Sequence, residues 1–215
     1  MGWGKTNEND LVIDSTYRLS GLSNLEYYGH FGWYFKKGSS LFDDFSKTIR
    51  EQFKKGTKQG YLKMSRLANK NGLWNIKSSN IDAIVVARGS DESTKQISNN
   101  NMNGLYVEGL INNKLLPDKK NFESLYKIKS NEKLHTAGAK DARKSLINNS
   151  YRYINNTGKN AHNILLFDDV STTGTTIDEI HRAIIHTVPK AKLYVFCLGQ
   201  TINPKYESNP PYCID

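Results

Sequence analysis

The chain has 215 residues, of which 37% are hydrophobic and 24% charged. This apolar content is enough for a packed core and excludes wholesale disorder, and no apolar run approaches the roughly 18–20 residues of a membrane helix. Residues 1–10 are polar and lack a hydrophobic export signal, and Cys197 and Cys213 form neither a disulfide framework nor a CxxC metal site. We therefore expect a cytoplasmic protein that has no membrane partner.

The formal net charge is +9, from 30 Lys and Arg against 21 Asp and Glu. Residues 36–77 carry most of this excess, because they hold eleven basic and only three acidic side chains. A surface of this kind attracts nucleic acid or small molecules that carry several phosphates. The same lysines suit the solvated face of a helix whose apolar residues pack inward, and both interpretations stay open.

Hydrophobic periodicity predicts alternating strands and helices. Residues 11–19 and 25–37 are expected to form an N-terminal hairpin, and Ser39 and Ser40 to cap a helix that ends at Gly56. The next predicted elements are a helix at 60–69, a strand at 81–87, a helix near 93–112, a strand at 122–128, a helix at 137–148, a strand at 163–167, a helix at 176–187 and a strand at 193–198. The last three form a βαβ unit.

The apolar runs at 81–87 and 163–167 are typical of strands that are buried on both faces, as in a parallel sheet. We therefore expect an α/β fold with a doubly wound, mostly parallel sheet and helices on both faces. The expected organisation is a flexible N-terminus at 1–10, a β-hairpin and basic helical region at 11–79, the α/β core at 80–200 and an irregular tail at 201–215.

One segment combines a buried strand, two acids and a hydroxyl-rich loop. Asp168 and Asp169 are expected to follow the strand, and a helix begins a few residues later. In open α/β sheets, ligands bind at the carboxyl ends of the strands. The backbone amides of a small-residue loop and of a helix N-terminus can hold a phosphate there. The loop residues are Ser171, Thr172, Thr173, Gly174 and Thr175.

The two carboxylates suit a different part of the same ligand. Carboxylates accept hydrogen bonds and sugar hydroxyls donate them, so a ribose with a 5′-phosphate would satisfy both halves of the segment. Two adjacent carboxylates beside a phosphate also favour an intervening Mg²⁺, which binds through few carboxylates plus substrate oxygens. Taken alone, the two acids would suit the solvated end of a strand, and the hydroxyl-rich residues would suit an ordinary helix cap. This is the alternative interpretation of the segment.

The segment from Phe167 to Thr176 resembles, without a gap, the signature of the type I phosphoribosyltransferases, which bind phosphoribosyl pyrophosphate (PRPP). Within that family the chain is most similar to the ComF-like branch. It lacks that branch's N-terminal cysteine cluster and has Leu146 where the branch tends to have Asn. The resemblance covers roughly residues 80–200 and, more loosely, 25–77. It implies a phosphoribosyltransferase-like core with a small N-terminal hood, ribose contacts from Asp168 and Asp169, and a 5′-phosphate site at residues 171–175.

The resemblance also implies a site for the leaving group. The short loop after strand 81–87, with Arg88, Gly89 and Ser90, would bind pyrophosphate. Residues 133–143 would form a mobile basic lid, from which Lys140 and Arg143 would reach the leaving group. A solvated basic helix is the alternative interpretation of that segment.

The implied reaction transfers a phosphoribosyl group from PRPP to a nitrogen acceptor and releases pyrophosphate. Mg²⁺ would be held mainly by the substrate, and in part by Asp168 and Asp169. The residues expected to act in catalysis are Asp168, Asp169, Arg88, Lys140 and Arg143. A non-catalytic regulator of the same fold, or a protein that binds nucleic acid or a protein partner through residues 36–77, is the alternative. A homodimer is compatible with either function.

The acceptor site has two sequence candidates. One is the aromatic segment at residues 27–35, and the other is the tail with Tyr206 and Tyr212. Aromatic rings at either place could stack on a nucleobase. The aromatics at 27–35 suit the core of a hairpin equally well, and we favour the core for most of them.

Overall fold

The computed structural model describes residues 12–13, 22, 24–39, 42–71, 80–89, 92, 101–128, 140–158 and 162–201. Predictions for Ser40, Ser90, the lid residues 133–139 and the tyrosines of the tail therefore lie outside the described residues. In the part of the chain that is described, no helix combines the length and the apolar character that crossing a bilayer requires.

Five strands form the central sheet in the order β1-β2-β7-β6-β3, and β4 and β5 pair separately as a two-stranded sheet. The strands are β1 (Val12–Ile13), β2 (Leu25–Tyr34), β3 (Ala83–Val86), β4 (Leu125–Lys127), β5 (Tyr151–Tyr153), β6 (Asn163–Ser171) and β7 (Lys192–Thr201). In the central sheet, strands β2, β7, β6 and β3 run parallel to one another and β1 is antiparallel to β2; β4 and β5 are antiparallel to each other. The expected α/β fold with a mostly parallel sheet is confirmed.

The helices are α1 (Asp44–Lys47), a π-helix (Thr48–Phe53), α2 (Lys58–Asn71), α3 (Met102–Asn112), α4 (Lys140–Ile147) and α5 (Thr175–Thr187), with a 3₁₀ turn at Phe122–Ser124. The unit β6–α5–β7 confirms the predicted βαβ motif. The strand predicted at 122–128 begins with the 3₁₀ turn and is therefore shorter than expected.

Both faces of the sheet are covered, because successive side chains of a strand point to opposite faces. In β6, Leu166 packs with Ile180 and Ile184 of α5 in one hydrophobic cluster. Phe167 packs in the second cluster, on the other face, with Phe53 of the π-helix and Tyr106 of α3. These residues are almost fully buried, which explains why β3 and β6 read as continuous apolar runs rather than as alternating ones.

Strand β2 lies in the central sheet beside β7, whereas the sequence pattern places residues 25–37 in a separate hairpin. The pairing with β1 is antiparallel, as a hairpin requires, but it covers only two residue pairs. Six consecutive residues of β2, at 27–32, are buried. An aromatic-rich strand suits a hairpin and a buried parallel strand equally well, so only the long-range pairing distinguishes them.

The helix predicted to begin after Ser39 and Ser40 and to end at Gly56 is present but differs in two respects. Its N-cap is Asp43, whose side chain accepts a hydrogen bond from the Ser46 amide at 2.8 Å, so the predicted serine cap is wrong. The second half is a π-helix rather than an α-helix. Ile49 and Phe53 are completely buried, as their spacing predicts.

Two glycines let this helical segment approach the sheet closely. A Cβ on Gly32 of β2 would lie 3.2 Å from the ring of Phe45, and a Cβ on Gly199 of β7 would lie 3.1 Å from Ile49 Cδ1. Both distances are shorter than ordinary carbon contacts, so larger residues would push the helix outward. The π-helix consequently ends directly above the carboxyl edge of the sheet.

Candidate functional site

The carboxyl ends of the parallel strands open into a cleft of about 710 Å³. This volume is in the range of small-molecule sites, roughly 300–1,000 Å³. The cleft lies where ligands bind in open α/β sheets. Its lining consists of Tyr34, Lys36, Lys37, Arg50, Lys54, Arg88, Asp168, Asp169, Val170, residues 171–176 and Ile177.

The acid pair belongs to β6 itself. The strand was predicted to end at Phe167, but it continues to Ser171, with Asp168 paired to Cys197 and Val170 to Gly199 of β7. Each carboxylate is held by a backbone amide: Asp168 Oδ1 accepts from the Asp169 amide at 2.9 Å, and Asp169 Oδ1 accepts from the Val170 amide at 2.6 Å. The pair therefore stands on a rigid strand rather than on a flexible loop.

Lys54, the residue that follows the π-helix, partly compensates these two charges. Its Nζ lies 2.8 Å from Asp169 Oδ2. Burial, and then the nearby Asp169 carboxylate, raise the pKa of Asp168 to about 8, against which Lys54 acts in the opposite direction. Burial lowers the pKa of Lys54, but the two carboxylates more than offset this and raise it above its usual value. The acid pair thus carries less than two negative charges near neutral pH.

The hydroxyl-rich loop leads directly into α5. Gly174 is the N-cap of this helix, has a φ of +76° and makes no side-chain cap hydrogen bond. This left-handed conformation is the one that glycine adopts without steric cost. The first amides of a helix have no partner within the helix, and a cap side chain does not occupy them here. An anion in the cleft can therefore accept hydrogen bonds from this helix N-terminus.

The loop after β3 is held by the small sheet β4–β5. The Tyr151 hydroxyl lies 3.2 Å from both the amide and the carbonyl of Arg88. The Arg88 guanidinium donates to the carbonyls of Leu125 at 3.0 Å and Phe122 at 2.8 Å. Arg88 lines the cleft but is only 6% exposed, so at least two of its donors bind backbone rather than face a ligand.

Two further residues contact this loop, and sequence reasoning missed both. Lys127, which is 2% exposed, donates from Nζ to the Gly89 carbonyl at 3.0 Å. Glu92 Oε2 accepts from the Gly89 amide at 2.6 Å and from Asn101 Nδ2 at 2.7 Å. Nothing local in the sequence connects Lys127 with Gly89, because strand pairing and packing alone bring them together.

Asn103 is a third residue that the sequence did not indicate. Its Nδ2 donates to the carbonyl of Ala87 at 3.3 Å, and its side-chain amide acts to lower the pKa of Asp168. It therefore links the loop after β3 to the acid pair on β6. Its position next to Asn101, the N-cap of α3, is the only local signal that could have found it.

The predicted site residues divide into three groups. Those brought together at the cleft are Arg88, Asp168, Asp169, Ser171, Thr172, Thr173, Gly174 and Thr175. Gly89 is exposed beside them and makes the contacts described above. Lys140 and Arg143 fall within α4, but their side chains, like Ser90 as a whole, lie outside the described residues. Whether these three act in the site stays a prediction.

The basic stretch at 36–77 is split by the fold. Lys36, Lys37, Arg50 and Lys54 line the cleft. Lys47 and Lys55 are exposed but do not line it. Part of the positive charge of residues 36–77, which suggested a ligand with several phosphates, therefore lies in the same cleft as the acid pair.

The aromatic segment at 27–35 contributes mainly to the core. Tyr27, Tyr28, Phe31 and Phe35 are buried. Tyr34 is half-buried and is the one residue of this segment among the cleft-lining residues.

Asp168 and Asp169 suit a magnesium ion that a substrate would bind at the same time. Among the described residues, no group of three or more His, Cys, Asp or Glu side chains surrounds a common point. Asp168 and Asp169 offer two carboxylates in a partly buried position, and Mg²⁺ is typically bound by one or two carboxylates together with water and substrate phosphates.

A scan against protein-family models finds no match for this chain, and a search of the curated proteins finds no relative. The chemistry of the cleft is therefore the basis on which a function is assigned.

Proposed function

We propose that this protein is a phosphoribosyltransferase-like enzyme that binds PRPP in the cleft and transfers the phosphoribosyl group to a nitrogen acceptor. The observation that carries the proposal is the segment at 168–175, in which two backbone-held carboxylates and an uncapped helix N-terminus line one cleft. Its sequence resemblance to the PRPP-binding signature supports the same assignment.

The 5′-phosphate would bind at the loop and the start of α5. The amides at this helix end carry the positive end of the helix dipole, and the hydroxyls of Thr173 and Thr175 lie 2.7 Å from each other beside them. Hydrogen bonds to a charged phosphate contribute roughly 1.5–3 kcal/mol each. The loop thus supplies binding energy and orientation rather than a reacting group.

The ribose hydroxyls would donate to Asp168 and Asp169. When Mg²⁺ is bound, it neutralises charge on the pyrophosphate and helps it to leave. The same two carboxylates would hold the ion together with substrate oxygens. Carboxylates beside the ribose would also stabilise the positive charge that develops on the sugar ring in the transition state.

Pyrophosphate would lie at the loop after β3. Tyr151 and Lys127 hold the backbone of Arg88 and Gly89 in place, which favours a preformed site over one that must order on binding. The protein would make no covalent bond to the substrate. Its contribution would be to position PRPP and to stabilise charge.

Nucleic-acid binding is the second candidate function. It is favoured by the exposed lysines outside the cleft, among them Lys47, Lys55 and Lys63. Binding of this kind would weaken steeply as the salt concentration rises, because it releases counterions from the phosphate backbone.

Calorimetric titration of PRPP, with and without Mg²⁺, tests the main proposal. We expect Mg²⁺-dependent binding that is lost in the double variant Asp168→Asn/Asp169→Asn and retained in Asp118→Asn, which removes an exposed acid outside the cleft. Unchanged affinity in the double variant, or no binding by the wild-type protein, would overturn the assignment. Release of pyrophosphate with a panel of nitrogen acceptors then separates an enzyme from a non-catalytic regulator.

A further inference from the structure

The side of the cleft at the end of β2 carries a cluster of cations, which we call the basic wall: Lys36, Lys37 and Arg50. Lys36 and Lys37 lie two and three residues after the end of β2, and Arg50 lies in the π-helix. All three are exposed and line the cleft together with the half-buried ring of Tyr34. The wall combines positive charge with an aromatic surface.

The π-helix is what brings Arg50 to this place. Such helices are rare and are frequently found at functional sites. Arg50 and Lys54, four residues apart, both reach the cleft, although only Lys54 contacts the acid pair. The same helical segment packs closely on the sheet, with Phe45 against Gly32 and Ile49 against Gly199.

Among the described residues, no acid neutralises the charge of the basic wall. Within the described part of the chain, no carboxylate lies within ion-pair distance of Lys36, Lys37 or Arg50. The cleft lining as a whole holds five cationic side chains and two carboxylates, so its charge is positive even when both acids are ionised. An anionic ligand group is the natural counterpart of such a wall.

The sheet order places the wall on the far side from the leaving group. In the order β2-β7-β6-β3, the acids lie on β6, the loop of Arg88 follows β3, and the basic wall follows β2. In displacement at a sugar carbon with inversion, the incoming group attacks the face opposite the leaving group. The acceptor would therefore enter from the side of β2.

We propose that the basic wall binds the acceptor, and that the acceptor carries a carboxylate or a phosphate in addition to its reacting nitrogen. This inference rests on the proposed function and specifies its substrate class. The acceptor nitrogen uses its lone pair to form the bond to ribose C1, while the C1–O bond breaks and its electron pair leaves on pyrophosphate. The proton of the nitrogen passes to solvent. Tyr34 would offer its ring to the planar part of an acceptor.

The test compares matched anionic and neutral probes on protein saturated with ribose 5-phosphate and Mg²⁺. Nicotinate against nicotinamide reports on a carboxylate, and cytidine 5′-monophosphate against cytidine reports on a phosphate. We expect at least one anionic probe to bind roughly tenfold tighter than its neutral partner, as a single charge-assisted hydrogen bond would give. The variant Lys36→Glu/Lys37→Glu should abolish this preference when it, too, is saturated with ribose 5-phosphate and Mg²⁺.

The matched control is Lys47→Glu/Lys55→Glu, which makes the same change of net charge at exposed lysines outside the cleft. It should retain the preference. The inference would be overturned if the wild-type protein bound anionic and neutral probes equally, or if both double variants lost the preference to the same extent. An equal loss of the preference in both variants, together with tight oligonucleotide binding, would indicate a nucleic-acid surface. Failure of ribose 5-phosphate and PRPP to bind at all would instead overturn the proposed function, and this inference with it.

Discussion

Lys54 Nζ lies 2.8 Å from Asp169 Oδ2, and this ion pair joins the basic helical segment to the acid pair of β6. The lysine is 42% exposed and the aspartate 24%, so the pair stands at the mouth of the cleft rather than in the core. The pair therefore compensates part of the negative charge of Asp168 and Asp169.

Replacing Lys54 by Met should destabilise the protein modestly at neutral pH. The expected loss in the free energy of unfolding is about 0.5–1 kcal/mol, since the pair is partly exposed and screened. Urea denaturation measures it. Lys120→Met, which breaks the more exposed pair with Glu108 outside the cleft, is the control and should cost less. Equal losses in the two variants would contradict a special role for Lys54 beside the acid pair.

The stability of the protein should depend on Asp168 between about pH 4 and pH 8. The pKa of this group is raised from 3.8 to about 8, so in that window the folded state binds more protons than the unfolded state. The free energy of unfolding therefore decreases as the pH rises through the window. Asp168→Asn should flatten this dependence and raise the Tm by a few degrees near pH 9, where the wild-type carboxylate is ionised.

Thermal unfolding over a range of pH measures this effect, with Asp118→Asn as the control at an exposed acid. If the Tm of the Asp168→Asn variant changed with pH in the same way as that of the wild-type protein, the raised pKa of Asp168 would not contribute to the pH dependence of stability.

Gly174→Ala should weaken phosphate binding as well as folding. A side chain at a φ of +76° costs roughly 1–2 kcal/mol, and it also adds a Cβ to the loop that would hold the phosphate. Gly158→Ala is a matched control, because Gly158 has a φ of +71° and no atom would lie within 4 Å of its Cβ. Both variants should unfold at lower urea concentration, but only Gly174→Ala should bind ribose 5-phosphate more weakly. Equal affinities in the two variants would count against the loop as the phosphate site.

Tyr151→Phe should loosen the loop after β3. The lost hydroxyl leaves the Arg88 amide without this bond in a buried position, at a cost of roughly 1–3 kcal/mol. Affinity for inorganic pyrophosphate should fall, while that for ribose 5-phosphate stays the same. Tyr153→Phe is the control, since the buried Tyr153 hydroxyl has no hydrogen-bond partner within the described part of the chain and its removal should be neutral. An unchanged pyrophosphate affinity in Tyr151→Phe would argue against this loop as the leaving-group site.

Local patterns were sufficient for most of the elements of the α/β core and for the centre of the candidate site, but not for the π-helix, for β5 or for the place of β2 in the sheet. The run at 163–167 and the apolar face of the following helix predicted β6, α5 and β7, because side-chain periodicity reflects burial within a few residues of chain. The acids and the loop at 171–175 are contiguous, so their proximity needed no knowledge of the fold. The one error there, the end of β6, arose because strand pairing with β7 extends β6 through polar residues.

The sequence by itself thus determined the α/β architecture and the segment of acids and hydroxyls at the edge of the sheet. Only the tertiary structure decided which other residues join that segment. Tyr151 and Arg88 are 63 residues apart and Lys127 and Gly89 are 38 apart, and no local pattern relates them. The tertiary structure also decided which residues of the basic stretch at 36–77 join the site. Because β2 pairs with β7 and the π-helix packs closely on the sheet, four cations of this stretch line the cleft. Such contacts depend on packing between distant elements, which periodicity within one element does not encode.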